Sequence, residues 1–486
     1  MKLLAIPGFA FCFAALARAQ APVPAGPPRP AYERTTPSPA VRQPVSSGNA
    51  NPLMGSVASE PATTGPLDLT LEGALERGLL YNLGLAETGE NVRQQRAQRL
   101  QALSQLMPTI SLRPSVTEQQ VNLAAFGFSG FAGVPQIVGP FTVYDARANL
   151  SQSIFSLRNL GNYRAARQEL AAAQSSARDV REQVTVVVTG LYLLGIAAAA
   201  RVDAQQSQVT TAEAAYRQAV DRKNAGTVPG IDVLRAQVEM QAERQQLIAY
   251  EGDLERQKLS LSRAIGLPAG QQFRLADTIP YTPLDTSVTL ESTLQRAYEQ
   301  RQDYRAAKEL VEAAELEKSA ARAGRYPSAT LDANYGAIGQ SVTHTHGSFA
   351  IVAAVDIPVF QGGRVQADVE LADALLRRRR AETDDLRGRI DAEVRVAFID
   401  LRSASRQVEV ALAGVDLATQ QLQQARDRFA AGVTNNLEVV QAQQALAQAQ
   451  QVRIAALYSF NVAKAELVRA RGDAERSIKE YLRRAP

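Results

Sequence analysis

Residues 225–237 read AGTVPGIDVLRAQ, and residues 431–443 read AGVTNNLEVVQAQ. The two stretches lie 206 positions apart (431 − 225). Extended without a gap to Gly266 and Gly472, they share 13 identities in 42 pairs, and both close on Arg-Ala-x-Gly. Shared helical composition produces scattered matches, not one gapless register with matching ends. The chain is an internal duplication, and the duplicated unit is what the fold has to explain.

A second register precedes it. LTLEGALERG from Leu69 matches VTLESTLQRA from Val288, and Pro108 and Pro327 keep the same offset of 219. By Phe155 and Phe360 the offset has fallen to 205, so repeat one holds 14 more residues between proline and phenylalanine (47 against 33). Insertions are tolerated best at exposed loop tips. The candidate tips are residues 119–140, with Phe126, Phe128 and Phe131 read as a packed loop, and GQSVTHTHGS at 339–348. Around them the sequence alternates. Tyr144, Ala146, Ala148 and Leu150 oppose Asp145, Arg147, Asn149 and Ser151; Leu331, Ala333 and Tyr335 oppose Thr330, Asp332 and Asn334; Phe349, Ile351, Val355 and Ile357 share a face. Period two with one apolar face suits a membrane-barrel strand, and equally a half-buried soluble hairpin. Two hairpins are expected, at about 109–155 and 328–360.

Three kinds of helix surround each hairpin. The first runs Leu71–Leu106 and Leu290–Arg325, each stopped by the proline. The second runs from Leu157 to Asn224 and from Arg364 to Phe429, without proline and rich in Ala, Gln, Leu and Arg. The third starts at Ile231 and Leu437 and ends by Gly266 and Gly472. Gly226 and Gly432 suit a left-handed helix terminus, and Asp232 and Glu438 favour the positive end of the next helix. The long helices span roughly 100 Å at 1.5 Å per residue. The two short ones, end to end, match that length, so they can stack into one column antiparallel to the long helix. Rods and tubes use such lengths.

The remaining chain bounds the function. Net charge is +4 on 486 residues, with no Trp, so nucleic acid is not indicated. Arg377 to Arg380 are followed by Glu382, Asp384 and Asp385 at helical pairing distance, which reads as a solvated face. Residues 1–19 have a charged start, an apolar run and Ala-Arg-Ala before Gln20, the pattern of a signal peptide cleaved after Ala19. Cys12, the single cysteine, would leave with it, so no disulfide, thiol nucleophile or cysteine metal site is expected. Residues 20–66 are crowded with Pro, Ser, Ala and Gly and are expected to be a disordered lead. Residues 67–270 and 288–472 are the repeats, 271–287 a linker and 473–486 a tail. The apolar run at 184–200 resembles a membrane helix, but its counterpart IDAEVRVAFIDLRSASR is charged, so both are expected to be packed helix faces. His344 and His346 fall in an expected surface loop without a third ligand nearby. No nucleophile–base pair, phosphate cradle or carboxylate pair stands out, so neither an enzyme nor a cofactor or metal is expected.

Four strands cannot close on themselves, and open edges in lipid leave backbone groups unpaired, so other copies must complete a barrel. Three copies give twelve strands, enough for a lumen. The expected fold is mainly α: a long-helix α-barrel plus a transmembrane β-barrel completed by a trimer, with four strands per protomer. Helix, hairpin, long helix, AGxxxxxDVL turn and helix, given twice after a signal peptide, resemble the outer membrane efflux protein family, the TolC-like channels. The stretch IPVFQGGRVQADVELA at 357–372 is similar to that family's strand-to-helix junction. The resemblance implies an outer-membrane homotrimer, extending into the periplasm, that docks on a periplasmic adaptor and an inner-membrane pump. It also implies a constricted periplasmic mouth at Asp232, Glu438 and the Gln441 position, where the family has an acidic residue. Ala225, Gly226, Thr227, Ala431, Gly432 and Val433 would form adaptor-docking tips. Protein secretion by the same tube, or a periplasmic coiled-coil rod that never enters lipid, are the competing readings.

Overall fold

Without proline to interrupt them, the two longest segments each form one helix, α3 (Leu157–Asn224) and α7 (Arg364–Ala430), of 68 and 67 residues. The computed structural model describes residues 51–57, 65–127, 133, 135–268, 270–282, 289–431, 433–434 and 436–483. The expected signal peptide and its cleavage point lie outside these residues. The third helices are α4 (Gly230–Ile265) and α8 (Asn436–Arg471).

The first helices differ from the expectation of continuous helices to Leu106 and Arg325. Each is broken: α1 (Leu71–Tyr81) then α2 (Leu83–Ser104), and α5 (Leu290–Gln300) then α6 (Gln302–Ala323). The breaks fall on Asn82 and Arg301, both extended (ψ 134° and 124°) and equivalent at the 219 offset. No glycine or proline marks them; tertiary bonds hold them. Asn82 donates to Leu53 and Ala264 carbonyls at 2.7 and 3.2 Å, and caps α2 by accepting from Gly84 N–H at 3.0 Å. Arg301, 4% exposed, binds Asp303 through two bonds and Glu393 at 2.6 Å. Beside each break sits the glycine that ends α4 or α8, Gly266 (φ +71°) and Gly472 (φ +81°). A Cβ on Gly266 would come within 2.5 Å of Tyr81 Cβ, and one on Gly472 within 2.9 Å of Arg301 Cα. The repeated Arg-Ala-x-Gly is therefore the point where the two short helices meet end to end.

Strands β1 (Leu67–Leu69) and β4 (Phe273–Leu275) pair in parallel at that level, so the segment assigned as a linker carries a strand. Tyr192, half-way along α3 and fully buried, sets its hydroxyl 2.8 Å from Leu69 O and 2.7 Å from Asp277 Oδ2. Two cores flank this level, one per repeat, and they are built from equivalent residues. Val184, Val188 and Leu261 in the first correspond to Ile390, Val394 and Leu467 in the second. The 184–200 segment is thus packed inside α3 as its charged counterpart implied. Two further expectations change here. Residues 51–57, assigned to a disordered lead, bond Val57 N–H to Tyr81 O and accept from Leu83 N–H at Gly55 O, with Leu53 against the first core. The tail carries helix α9 (Ala474–Arg483), whose Ile478 is buried in the same core. Glu182 accepts from the N–H groups of Ala474 and Glu475 at its start.

The four-stranded sheet runs β2 (Thr109–Asn122), β3 (Ile137–Phe155), β5 (Ser328–Ser341), β6 (His344–Asp356), all antiparallel. Register puts Leu112, Ala148, Tyr335 and Phe349 in one cross-strand row and Ile110, Leu150, Ala333 and Ile351 in the next. The opposite face carries rows such as Ser111, Asn149, Asn334 and Ala350. The expected loop at 339–348 is mostly strand: only Val342 and Thr343 turn the hairpin, and His344 and His346 lie on β6. Strand pairing, worth a bond per residue, wins over the local turn-like composition. Phe126 is exposed; Phe128 and Phe131 lie outside the described residues.

Because both junction glycines hold a positive φ in a crowded site, Gly472 against the Arg301 backbone and Gly266 against the Tyr81 side chain, Gly472→Ala should destabilise the protein by about 1–3 kcal/mol. Gly266→Ala should behave alike, whereas Gly388→Ala, with open space around it on α7, should be neutral or better. Thermal denaturation of the three variants checks this.

Candidate functional site at the two helical turns

α3 and α7 both begin beside the sheet, so their C-termini lie at the end farthest from it, roughly 100 Å away for helices of 68 and 67 residues. There the two copies of the repeated motif close in the same way. Thr227 N–H donates to Arg222 O at 2.9 Å and Val433 N–H to Arg428 O at 3.0 Å, each five residues back. This is the bond pattern of a helix terminated through a left-handed residue. Gly226 holds that conformation at φ +72°; Gly432 lies outside the described residues. Thr227 Oγ1 adds a second bond to the same carbonyl at 2.9 Å. Ala225 and Ala431 take the last helical bonds, to Asp221 O and Asp427 O. The turn thus accounts for Gly226 through its positive φ, and Val433 is left 69% exposed at its tip.

Asp232 and Glu438 do not stand as free carboxylates. Asp232 pairs with Arg235 on its own helix at 3.3 Å. Glu438 reaches back across the turn to Arg428 at 3.1 Å and accepts from Thr434 Oγ1. Gln441 is exposed on α8. Among the described residues no hydrogen bond or ion pair joins Asp232, Glu438 and Gln441 to one another. Exposed pairs of this kind are worth about 0–1 kcal/mol each, so the Arg428–Glu438 pair shapes the second turn more than it stabilises the fold.

Two clefts separate the hairpins at this end, and sequence reading did not find them. One, of about 560 Å³, runs between α3 and α7 and is lined by Gln218, Arg222, Thr227, Asp232, Phe429 and Val439. Arg222 stacks its guanidinium 4.4 Å from the centre of the Phe429 ring, bridging the two repeats. The other, of about 390 Å³, lies between α4 and α8 and is mostly apolar: Ile231, Leu234, Val238, Leu437 and Val440. Gln444 Nε2 donates to Glu239 across it at 3.2 Å. The signal for it was present as apolar residues at i and i+3 just inside each third helix, Ile231 and Leu234 on α4 and Leu437 and Val440 on α8, with Val238 at i+7 on α4.

Comparison with known proteins agrees with this architecture. The family described as outer membrane efflux protein matches residues 75–267 and 293–473. The probable efflux pump outer membrane protein SepC of Pseudomonas putida is 24% identical over 405 residues, 79% of each chain. The pyoverdine export outer membrane protein OpmQ of Pseudomonas aeruginosa is 24% identical over 429 residues, 85% of this chain and 87% of OpmQ. Among solved structures, the Campylobacter jejuni CmeC outer membrane channel superposes with a TM-score of 0.71 at 17% identity, covering 92% of this chain and 98% of that one. The Vibrio cholerae outer membrane protein VceC gives 0.69 at 20% identity, over 83% and 96%. With both repeats matched from the first core to the second junction glycine, the chain belongs to the outer membrane efflux protein family.

Proposed function

We propose that this chain forms the outer-membrane conduit of a tripartite efflux system, exported through a signal peptide cleaved after Ala19 and assembled as a homotrimer. One observation carries the reading: both lateral edges of the protomer are unfinished. In the sheet, β2 and β6 each have one unpaired side. In the helical wall the order is α2, α3, α6, α7 in the half nearer the sheet and α4, α3, α8, α7 in the far half. The flanking columns carry exposed apolar residues at heptad positions. On α7 these are Val396, Ile399, Val410 and Leu417; on α4 they are Ile248 and Leu259. Such stripes are the seams of packed helices without their partners. A second and third copy would cover them, pair the strand edges, and close twelve strands over twelve helical columns.

In that assembly the row of Tyr335 and Phe349 meets lipid, the row of Asn149 and Asn334 faces the lumen, and the helical turns lie at the periplasmic mouth. Ala225, Gly226, Thr227, Ala431, Gly432 and Val433 then form six small, uncharged tips against which helical hairpins of a periplasmic adaptor dock, linking the tube to an inner-membrane pump. Asp232, Glu438 and Gln441 line the aperture, with the apolar α4–α8 cleft beside them. The chain itself catalyses nothing; energy and cargo choice belong to the pump. Relatives named for pyoverdine export and efflux favour small-molecule cargo over protein.

Tyr335→Arg should block insertion, at a cost of about 2–4 kcal/mol near the bilayer midplane. Val188→Lys, in the helical core, should leave the protein in outer-membrane fractions while lowering its thermal stability. The reverse pattern would overturn the assignment of the lipid-facing surface. Val433→Asp should leave heat-modifiable trimers intact but abolish export in cells with adaptor and pump, and full export would refute docking at the tips. Glu438→Gln frees Arg428 at three places around the mouth, so single-channel conductance and its cation sensitivity should change without loss of trimers. Unchanged currents across salt concentrations would remove Glu438 from the aperture.

A further inference from the structure

All four junctions between sheet and helices expose large apolar side chains. The strand-to-long-helix turns carry Ile154–Phe155 in repeat one and Val359–Phe360 in repeat two, equivalent at the 205 offset; Val359 and Phe360 are 93% and 89% exposed. At the short-helix ends, Met107 and Tyr326 occupy equivalent positions and are each 55% exposed. In the barrel these residues continue the apolar outer surface down to its helical end. Charge changes sharply just beyond them. Within one helical turn of the four junctions, on the helix side, stand Arg158, Arg322, Arg325 and Arg364, and no Asp or Glu. Asp368, one residue farther, is taken by Arg158 at 3.0 Å. Asp356, on the strand side, pairs with Ser328 in the lumen-facing row. Arg325 and Arg364 are exposed and make no ion pair among the described residues. They flank one spot: the chain at Gly324 would place a Cβ 3.6 Å from Val365 and 3.4 Å from the Arg158 guanidinium. Arg364 also opens α7, where a cation works against the helix dipole, so the fold gains nothing from it there.

We propose that this collar binds the phosphates of anionic glycerophospholipids in the inner leaflet of the outer membrane, with Val359, Phe360 and Tyr326 set against the headgroup-proximal part of the acyl chains. Basic residues beside an apolar belt attract anionic headgroups over zwitterionic ones. The adjoining aromatic and aliphatic side chains favour lipid over an anionic cell-wall polymer, which has no apolar part to offer them. The proposal rests on the channel reading, which fixes this end of the barrel as periplasmic.

The test uses the full-length trimer reconstituted in vesicles of phosphatidylcholine with or without about one-third phosphatidylglycerol. Lipids retained after detergent extraction are measured by native mass spectrometry, and conductance is recorded in the same preparations. The parent should retain phosphatidylglycerol several-fold above its share of the bilayer. R325Q combined with R364Q should return that ratio to the bilayer composition with trimers and conductance intact, whereas R377Q with R378Q, farther along α7, should leave it enriched. Enrichment that survives R325Q with R364Q, or its absence in the parent, overturns the proposal. So does binding to isolated cell-wall sacculi that depends on Arg325 and Arg364 without any lipid preference. Failure to insert or conduct would instead strike the channel reading, so the two failures are separable. F360S offers a second measure: it should weaken retention of both lipids while keeping the preference between them.

Discussion

A four-stranded sheet with two open sides cannot exist in a bilayer. Each unpaired backbone group in hydrocarbon costs several kcal/mol, and β2 and β6 together present two full strand edges of 14 and 13 residues. Nothing among the described residues covers them. In the proposed assembly that single deficit decides the rest: the strands are completed by copies, the copies bring their helices with them, and the helices therefore tile a ring. The apolar heptad positions left bare on α4 and α7 are the soluble half of the same requirement. An edge in lipid is satisfied by hydrogen bonds, an edge in water by buried apolar area, and this chain leaves one of each on both flanks.

The ring also demands equal column heights. A long helix of 68 residues stands beside α1 and α2, of 11 and 22 residues, stacked on α4, of 36. The stack needs a joint, and the joint is where the structure spends its conserved chemistry between repeats. A break without proline, a left-handed glycine and a buried polar anchor recur at Asn82 with Gly266 and at Arg301 with Gly472. The two anchors differ in kind. Asn82 serves carbonyls and a cap, while Arg301 relies on carboxylates of Asp303 and Glu393. Asp303 is held below the usual carboxylate range by Arg301 despite its burial, so this carboxylate stays ionised beside Arg301 through ordinary changes in pH. The ordered segment 51–57 and helix α9 both pack near this level, which makes it the stiff waist of the protomer.

Much of this was legible in the sequence. Helix identity and length followed from proline-free runs and from the repeated glycine ends, because those features act locally. The strand faces followed from period two. The helix breaks did not, because Asn82 and Arg301 look like ordinary helix residues and are held open by partners 182 and 92 positions away. Residues 51–57 misled for a related reason. A Pro-rich composition argues against a core of its own, yet Leu53 and Gly55 need only a slot in another core. His344 and His346 were assigned to a loop by composition, and the ladder to β5 overruled it.

The turns show where residue type stops being informative about function. Gly, Ala and a β-branched residue recur in both copies, which invites a docking role for each. The geometry accounts for Gly226 through its positive φ, and for the donor after the glycine in both copies through one shared closing bond, to Arg222 and Arg428. What that bond does not require is that the exposed side chains be small and uncharged, and Val433 gains nothing from burial. Glu438 runs the other way: the family resemblance assigns it to a constricted mouth, and its partner is the arginine whose carbonyl closes the turn. In the proposed assembly Glu438 both shapes the tip and faces the mouth, and so couples the two, since any contact that moves the tip must strain or release the Arg428–Glu438 pair. At about 0–1 kcal/mol the pair is weak enough for a docking partner to break, and so can respond to docking rather than resist it.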